Sequence, residues 1–185
     1  MKNSKSFTAI RVVACCAMLA ALSIVMARLL SISPPGGVRW SLDKFPLFIA
    51  GMLFGPVMGA LTGFTADFLG SLMQYGFNPL LCVPAILYGL FGGVFCNFLR
   101  KKFNLLRLTV AYLFPIVIGS ILYQSPVLAW LYSPATFWEA TYAYLLSRGV
   151  QFTIMLVLEV TIIYTLVRLK IFSRLGLWKQ GGNEE

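Results

Sequence analysis

The sequence has no histidine, only six acidic residues and only 11% charged residues in 185. Each shortage excludes something. Without histidine there is no Ser-His-Asp triad, no His-Glu-x-x-His zinc site and no Cys-His dyad. No Gly-x-x-x-x-Gly-Lys-[Ser/Thr] stretch occurs, so the chain has no phosphate loop of its own. Cys15 and Cys16 are adjacent, whereas Cys82 and Cys96 are isolated, so no zinc-ligand spacing exists. All four lie in apolar runs and read as buried, inert thiols. The shortage of charge excludes an ordinary soluble enzyme. Soluble domains are about 45–50% apolar and about 25% charged, but this chain is 59% hydrophobic with a mean hydropathy of +0.82. One integral-membrane domain over residues 1–185 follows.

A spanning helix needs about 20 mostly apolar residues. The first apolar run covers 7–32. It is longer than the core of a signal peptide and further runs follow, so it reads as a retained helix. Ser33-Pro34-Pro35-Gly36-Gly37 then breaks the chain. The next run, 45–73, is too long for one helix. Gly55-Pro56 divides it into helices over 45–54 and 56–73. Half-length helices suit segments buried against protein or lining a cavity. Further helices are predicted over 80–99, 108–132 and 137–168. The expected architecture is an all-α membrane protein with six transmembrane helices.

The 15 basic residues orient it. Eleven fall in three regions that six helices place on one side: Lys2, Lys5 and Arg11; Arg100, Lys101, Lys102 and Arg107; and Arg168, Lys170, Arg174 and Lys179. Arg28, Arg39 and Lys44 fall opposite. Positive charge marks the cytoplasmic side, so both termini are expected there.

A charge at the bilayer centre costs about 2.5–3.5 kcal/mol on insertion scales, so each one needs a partner or a cavity. Asp67, Arg148 and Glu159 stand out. Gly59, Gly63 and Asp67 form an i, i+4 ridge of small residues that lets helices approach closely and turns Asp67 toward the bundle. Asp67 reads either as an acceptor for a ligand or as the internal partner of an arginine. Arg148, Gln151, Met155 and Glu159 lie on one stripe of the last helix. Arg148 reads as a ligand contact or as an ion-pair partner of Asp67 or Glu159. Glu159, deeper, reads as structural. Trp138 and Tyr132 read as membrane-belt aromatics. Trp40 and Tyr75, beside Arg39, Lys44 and Asn78, read as either belt or ligand residues. The expected site is an outward-facing cavity. Its floor carries Asp67, Gln124, Arg148 and Gln151, Tyr88 adds aromatic surface, and its lid is the 36–44 and 74–79 loops. Aromatic planes with an acid, an arginine and amides suit a flat heteroaromatic ligand. Basic residues at the mouth suit a carboxylate tail.

These residues carry a family resemblance. The stretch Val38-Arg39-Trp40-Ser41-Leu42-Asp43-Lys44-Phe45-Pro46-Leu47-Phe48-Ile49-Ala50-Gly51-Met52-Leu53-Phe54-Gly55-Pro56 is followed by Gly59-Ala60, Gly63 and Ala66-Asp67-Phe68-Leu69-Gly70. It resembles the second and third helices of substrate-binding (S) components of energy-coupling factor (ECF) vitamin transporters, most of all the folate-specific FolT branch. Ala17 to Val25 with Arg28, Gly89-Leu90-Phe91-Gly92, and Leu145-Leu146-Ser147-Arg148 with Gln151 are similar too. The pair Asp43-Lys44 and the bulk of Cys15-Cys16 depart from the pattern. The resemblance implies a six-helix bundle in the bacterial plasma membrane that binds folate or a related vitamin from outside. It implies no cofactor and no catalysis. It also implies docking, through an Ala-x-x-x-Ala motif at Ala17 and Ala21, on a transmembrane coupling protein driven by two cytoplasmic ATPases. Rival readings are an S component for riboflavin or a queuosine precursor, and a membrane-embedded enzyme. Asp67 and Glu159, isolated in sequence and without histidine, argue against the enzyme.

Overall fold

The computed structural model describes residues 2–32, 40–73, 76, 78–101, 103–169 and 171–174, with side chains from Ile10 onward except at 32, 173 and 174. The first helix, α1, spans Lys2–Leu29. The apolar run to 32 is not helical throughout. Ser31–Ile32 (β1) pairs antiparallel with Trp40–Ser41 (β2), with Ser31 opposite Ser41 and Ile32 opposite Trp40. The Ser33-Pro34 step explains the change, because a proline disfavours helix in the residue before it.

Helices α2 (Phe45–Phe54) and α3 (Pro56–Leu72) meet at Gly55, whose φ of 95° lies where only glycine sits without strain. Pro56 then opens α3, where a missing N–H costs nothing. Helix α4 (Pro79–Val94) is capped by Asn78, whose Oδ1 accepts the Leu80 N–H at 3.1 Å. The helix expected over 80–99 breaks at Phe95, and the short α5 (Cys96–Lys101) continues it.

The fifth hydrophobic run is also composite: α6 (Leu105–Pro115), a π-helical segment (Ile116–Tyr123) and α7 (Gln124–Tyr132). Pro115 and Pro126 flank the wide turns, and each removes an N–H from the ordinary ladder. A 3₁₀ turn, Pro134–Thr136, leads into the 32-residue α8 (Phe137–Arg168), and α9 is Ile171–Arg174.

Among the described residues three stretches are long and apolar enough to cross a bilayer: Ile10–Leu29, Leu105–Tyr132 and Pro134–Arg168. Their outer faces expose rows of large apolar side chains, with Met18 72%, Leu122 61% and Leu146 78% accessible. Such a surface needs lipid against it. Helix α2 differs: Phe45 through Leu53 are all buried, as expected of a helix apolar on every side.

Helices α2, α3 and α4 pack most closely. A Cβ added at Gly59 would collide with the Gly89 backbone, and one at Gly89 would collide with that of Gly59. That approach is the packing that small residues allow between helices in lipid. The core joins this group to α6 through Tyr112, whose ring lies 4.9 Å from that of Phe48 and 5.5 Å from that of Tyr88. The first pair meets edge to face at 67° and the second is tilted at 56°, so neither is a face-to-face sandwich.

Candidate ligand cavity

A cavity of about 900 Å³ opens between the α1–α4 group and the π segment, α7 and α8. It lies at the upper end of the about 300–1,000 Å³ range of small-molecule sites. Asp67, Gln124, Arg148, Gln151, Lys44, Asn78 and Tyr88 all line it. Trp40 does not; it is half-buried in the hairpin opposite Ile32. Arg39 and Tyr75 lie outside the described residues.

The local fold explains these placements. On α3, Gly59 and Gly63 are pressed against α4, and Asp67, one turn beyond Gly63, continues that face into the cavity. The buried Cys82 thiol of α4 sits against its carboxyl. Along α8, Arg148, Gln151, Met155 and Glu159 are buried and all line the cavity. Their spacing of three, four and four residues keeps them on one helix face.

Arg148 is 8% exposed, its Nε has no hydrogen-bond partner, and its guanidinium lies 6.0 Å from the centroid of the Phe152 ring. Among the described residues no ion pair joins it to Asp67 or Glu159; the pair formed is Lys44 Nζ–Asp43 Oδ2, at 2.8 Å. Asp43 Oδ1 also accepts from the Ser41 hydroxyl at 2.7 Å, and its carbonyl accepts from Ser23 of α1 at 2.7 Å. Burial works to raise the Asp43 carboxyl, but the Lys44 ammonium and the hydrogen bonds outweigh it and hold the carboxyl below its ordinary value. Burial likewise works to lower Lys44, and the charges of Asp43 and Asp67 override it and raise its ammonium above its ordinary value. This pair thus ties the hairpin to α1 and carries charge on the cavity wall.

The structure extends the site beyond the residues assigned to it from sequence. Arg28 reaches the Gly70 carbonyl, joining the end of α1 to the last turn of α3, and lines the cavity. Ser120 enters from the π segment and shares a hydrogen bond with Tyr88 Oη at 3.3 Å. Tyr132, read as a belt aromatic, lines the cavity, as does Tyr144. Glu159, read as structural, does both: Oε2 accepts from the Tyr112 hydroxyl at 2.7 Å, and the side chain lines the cavity. No periodic signal marked Ser120 or Arg28. Glu159 was detectable, since it shares the stripe of Arg148 and Gln151. On the outer face of α1, Ala17 and Ala21 are exposed beside Met18.

Chemically, the cavity offers acceptors at Asp67 and Glu159, donors at Arg148 and Lys44, amides that do both, and aromatic surface at Tyr88 and Phe152. This set can hold a flat polar ring with anionic groups.

Comparison with known proteins agrees with the membrane-bundle architecture. The profile of the family described as ECF transporter, substrate-specific component, matches residues 11–167. A protein of Clostridium novyi (strain NT) named Folate transporter FolT is 34% identical over 101 residues, which is 51% of this chain and 55% of that protein. The chain thus spans about half the length of this relative. A solved structure described as FolT bound with folic acid superposes with a TM-score of 0.69 at 24% identity, covering 83% of this chain and 92% of that one. At that identity the likeness is one of fold. With the family profile covering most of the chain, this protein belongs to the substrate-specific components of ECF transporters.

Proposed function

We propose that this chain is a folate-binding S component. It takes the vitamin from the outer side of a bacterial plasma membrane and delivers it through a coupling protein driven by two separate ATPases. The observation that carries the reading is the convergence of Asp67, Gln124, Arg148 and Gln151, from three helices, on one cavity of about 900 Å³. Asp67 accepts from the amino and ring N–H donors of the pterin. Arg148 and Gln151 meet the ring's acceptors, Tyr88 supplies aromatic surface, and Lys44 or Arg39 meets the glutamate carboxylates, Lys44 being the one on the cavity wall. Asn78 completes the rim, and of the two aromatics expected to stack on the ligand, Trp40 or Tyr75, Trp40 lies off the cavity lining. The similarity to proteins named FolT supports this choice of vitamin.

Six spans with both termini in the cytoplasm complete the reading. The basic residues support it, because this topology puts eleven of fifteen on one side. The exposed small residues Ala17 and Ala21 serve as the docking face for the coupling protein. The chain binds and releases cargo without chemistry on it.

Titration calorimetry of folic acid against the detergent-purified protein tests the site. Saturable binding that weakens in Asp67→Asn and Arg148→Ala is expected; no saturable binding refutes the folate reading. In a thermal-shift panel, a larger shift with riboflavin or a queuosine precursor would reassign the cargo.

A further inference from the structure

Among the described residues three carboxyl groups line the cavity: Asp43, Asp67 and Glu159. Asp43 is committed to Lys44 and Ser41 through both of its oxygens. Glu159 is not. Its side chain is 2% exposed, Oε2 accepts from Tyr112 and Oε1 has no hydrogen-bond partner. Tyr112 is itself fully buried between the rings of Phe48 and Tyr88, so it holds the carboxyl in one orientation. The Lys44 amide, at the start of α2, lies beside the same carboxyl. A desolvated carboxyl oxygen without a donor is costly. At a cavity wall, a ligand N–H relieves that cost.

The donors of the ligand can be counted against these acceptors. An oxidised pterin has one donor edge, the 2-amino group with N3–H, and that edge is taken by Asp67. Its N5 and N8 are acceptors only. Reduction to the 7,8-dihydro ring adds a hydrogen at N8 and leaves most of the ring flat. Asp67 and the free Oε1 of Glu159 therefore match a ring with two donor edges. We propose that Glu159 accepts the N8–H of a reduced folate, and that this protein prefers the 7,8-dihydro ring to the oxidised one. The inference rests on the folate reading of the cavity.

Calorimetry with folic acid and 7,8-dihydrofolic acid, under argon, on the full chain in detergent tests it. The wild type is expected to bind the dihydro form about fivefold more tightly, the size of one ordinary hydrogen bond. Glu159→Gln separates the roles. Tyr112 still donates to the amide oxygen, which turns the amide NH₂ toward the ligand. That group repels N8–H and donates to the bare N8 of folic acid, so the preference should collapse or reverse. A wild type that binds both forms equally, or prefers folic acid, overturns the proposal. So does a variant that keeps the wild-type ratio, or one that loses both ligands together, since Glu159 would then be part of the frame. If neither ligand binds the wild type saturably, the folate reading itself falls.

Discussion

Replacing Arg148 with methionine tests the site where structure and function pull in opposite directions. The guanidinium is 8% exposed, its Nε has no partner, and among the described residues no carboxylate pairs with it. A buried cation in this state is destabilising, because desolvation is not offset by a partner. Methionine keeps the length that packs against Phe152 and removes the charge. The ligand-free variant should therefore melt no lower than the wild type. The bound state should suffer. A hydrogen bond from a charged donor contributes about 1.5–3 kcal/mol. At about 1.4 kcal/mol per decade, the Kd for folic acid should rise roughly 10- to 150-fold. Calorimetry gives the affinity, and a thermal melt without ligand gives the stability. A Kd within threefold of wild type, or a ligand-free melting temperature that drops by several degrees, would refute the reasoning and make Arg148 a structural residue.

Ala17→Trp or Ala21→Trp should block uptake into vesicles carrying the whole transporter while leaving ligand binding intact, because both side chains point outward from α1; unimpaired uptake would move the docking face elsewhere. Gly59→Ala should destabilise the protein by about 1–3 kcal/mol, since the new methyl meets backbone that cannot rotate away. Gly149→Ala, with open space around it, should not, and thermal melts in detergent compare the two. The stabilising effect of Asp43 should be acid-sensitive. Its carboxyl is held below its ordinary value, so its contribution is complete above about pH 4–5 and fades as pH falls through the depressed value, while Lys44 stays charged throughout. The stability gap between wild type and Asp43→Asn should therefore narrow on acidification, and a gap independent of pH would contradict the pairing.

Much of the site was legible along α8. A three-four-four spacing of polar residues in an apolar helix has one geometric meaning, and Arg148, Gln151 and Glu159 share the buried face that it implies. Asp67 was legible for a similar reason, because the glycines before it mark which side of α3 approaches a neighbour. The connections were less legible. The hairpin between α1 and α2 depends on pairing across the 33–39 stretch, and nothing in two short apolar segments announces it. The π segment depends on how α6 and α7 accommodate two prolines, and its wide turns bring Ser120 to Tyr88.

Composition and periodicity alone establish a membrane domain, without histidine or a phosphate loop, whose few intramembrane charges face inward. Those conclusions are local: the cost of burying a charge in lipid and the 3.6-residue helix repeat act on each segment separately. Tertiary packing decides which charges satisfy one another. Asp43 finds Lys44 and Ser41, Glu159 finds Tyr112, and among the described residues Arg148 is left without a carboxylate, although the sequence offered it two. Pairing requires two side chains within about 4 Å of one another across separate helices. That distance is set by how closely α2, α3 and α4 approach and by how α8 lies along the cavity, which no single segment encodes.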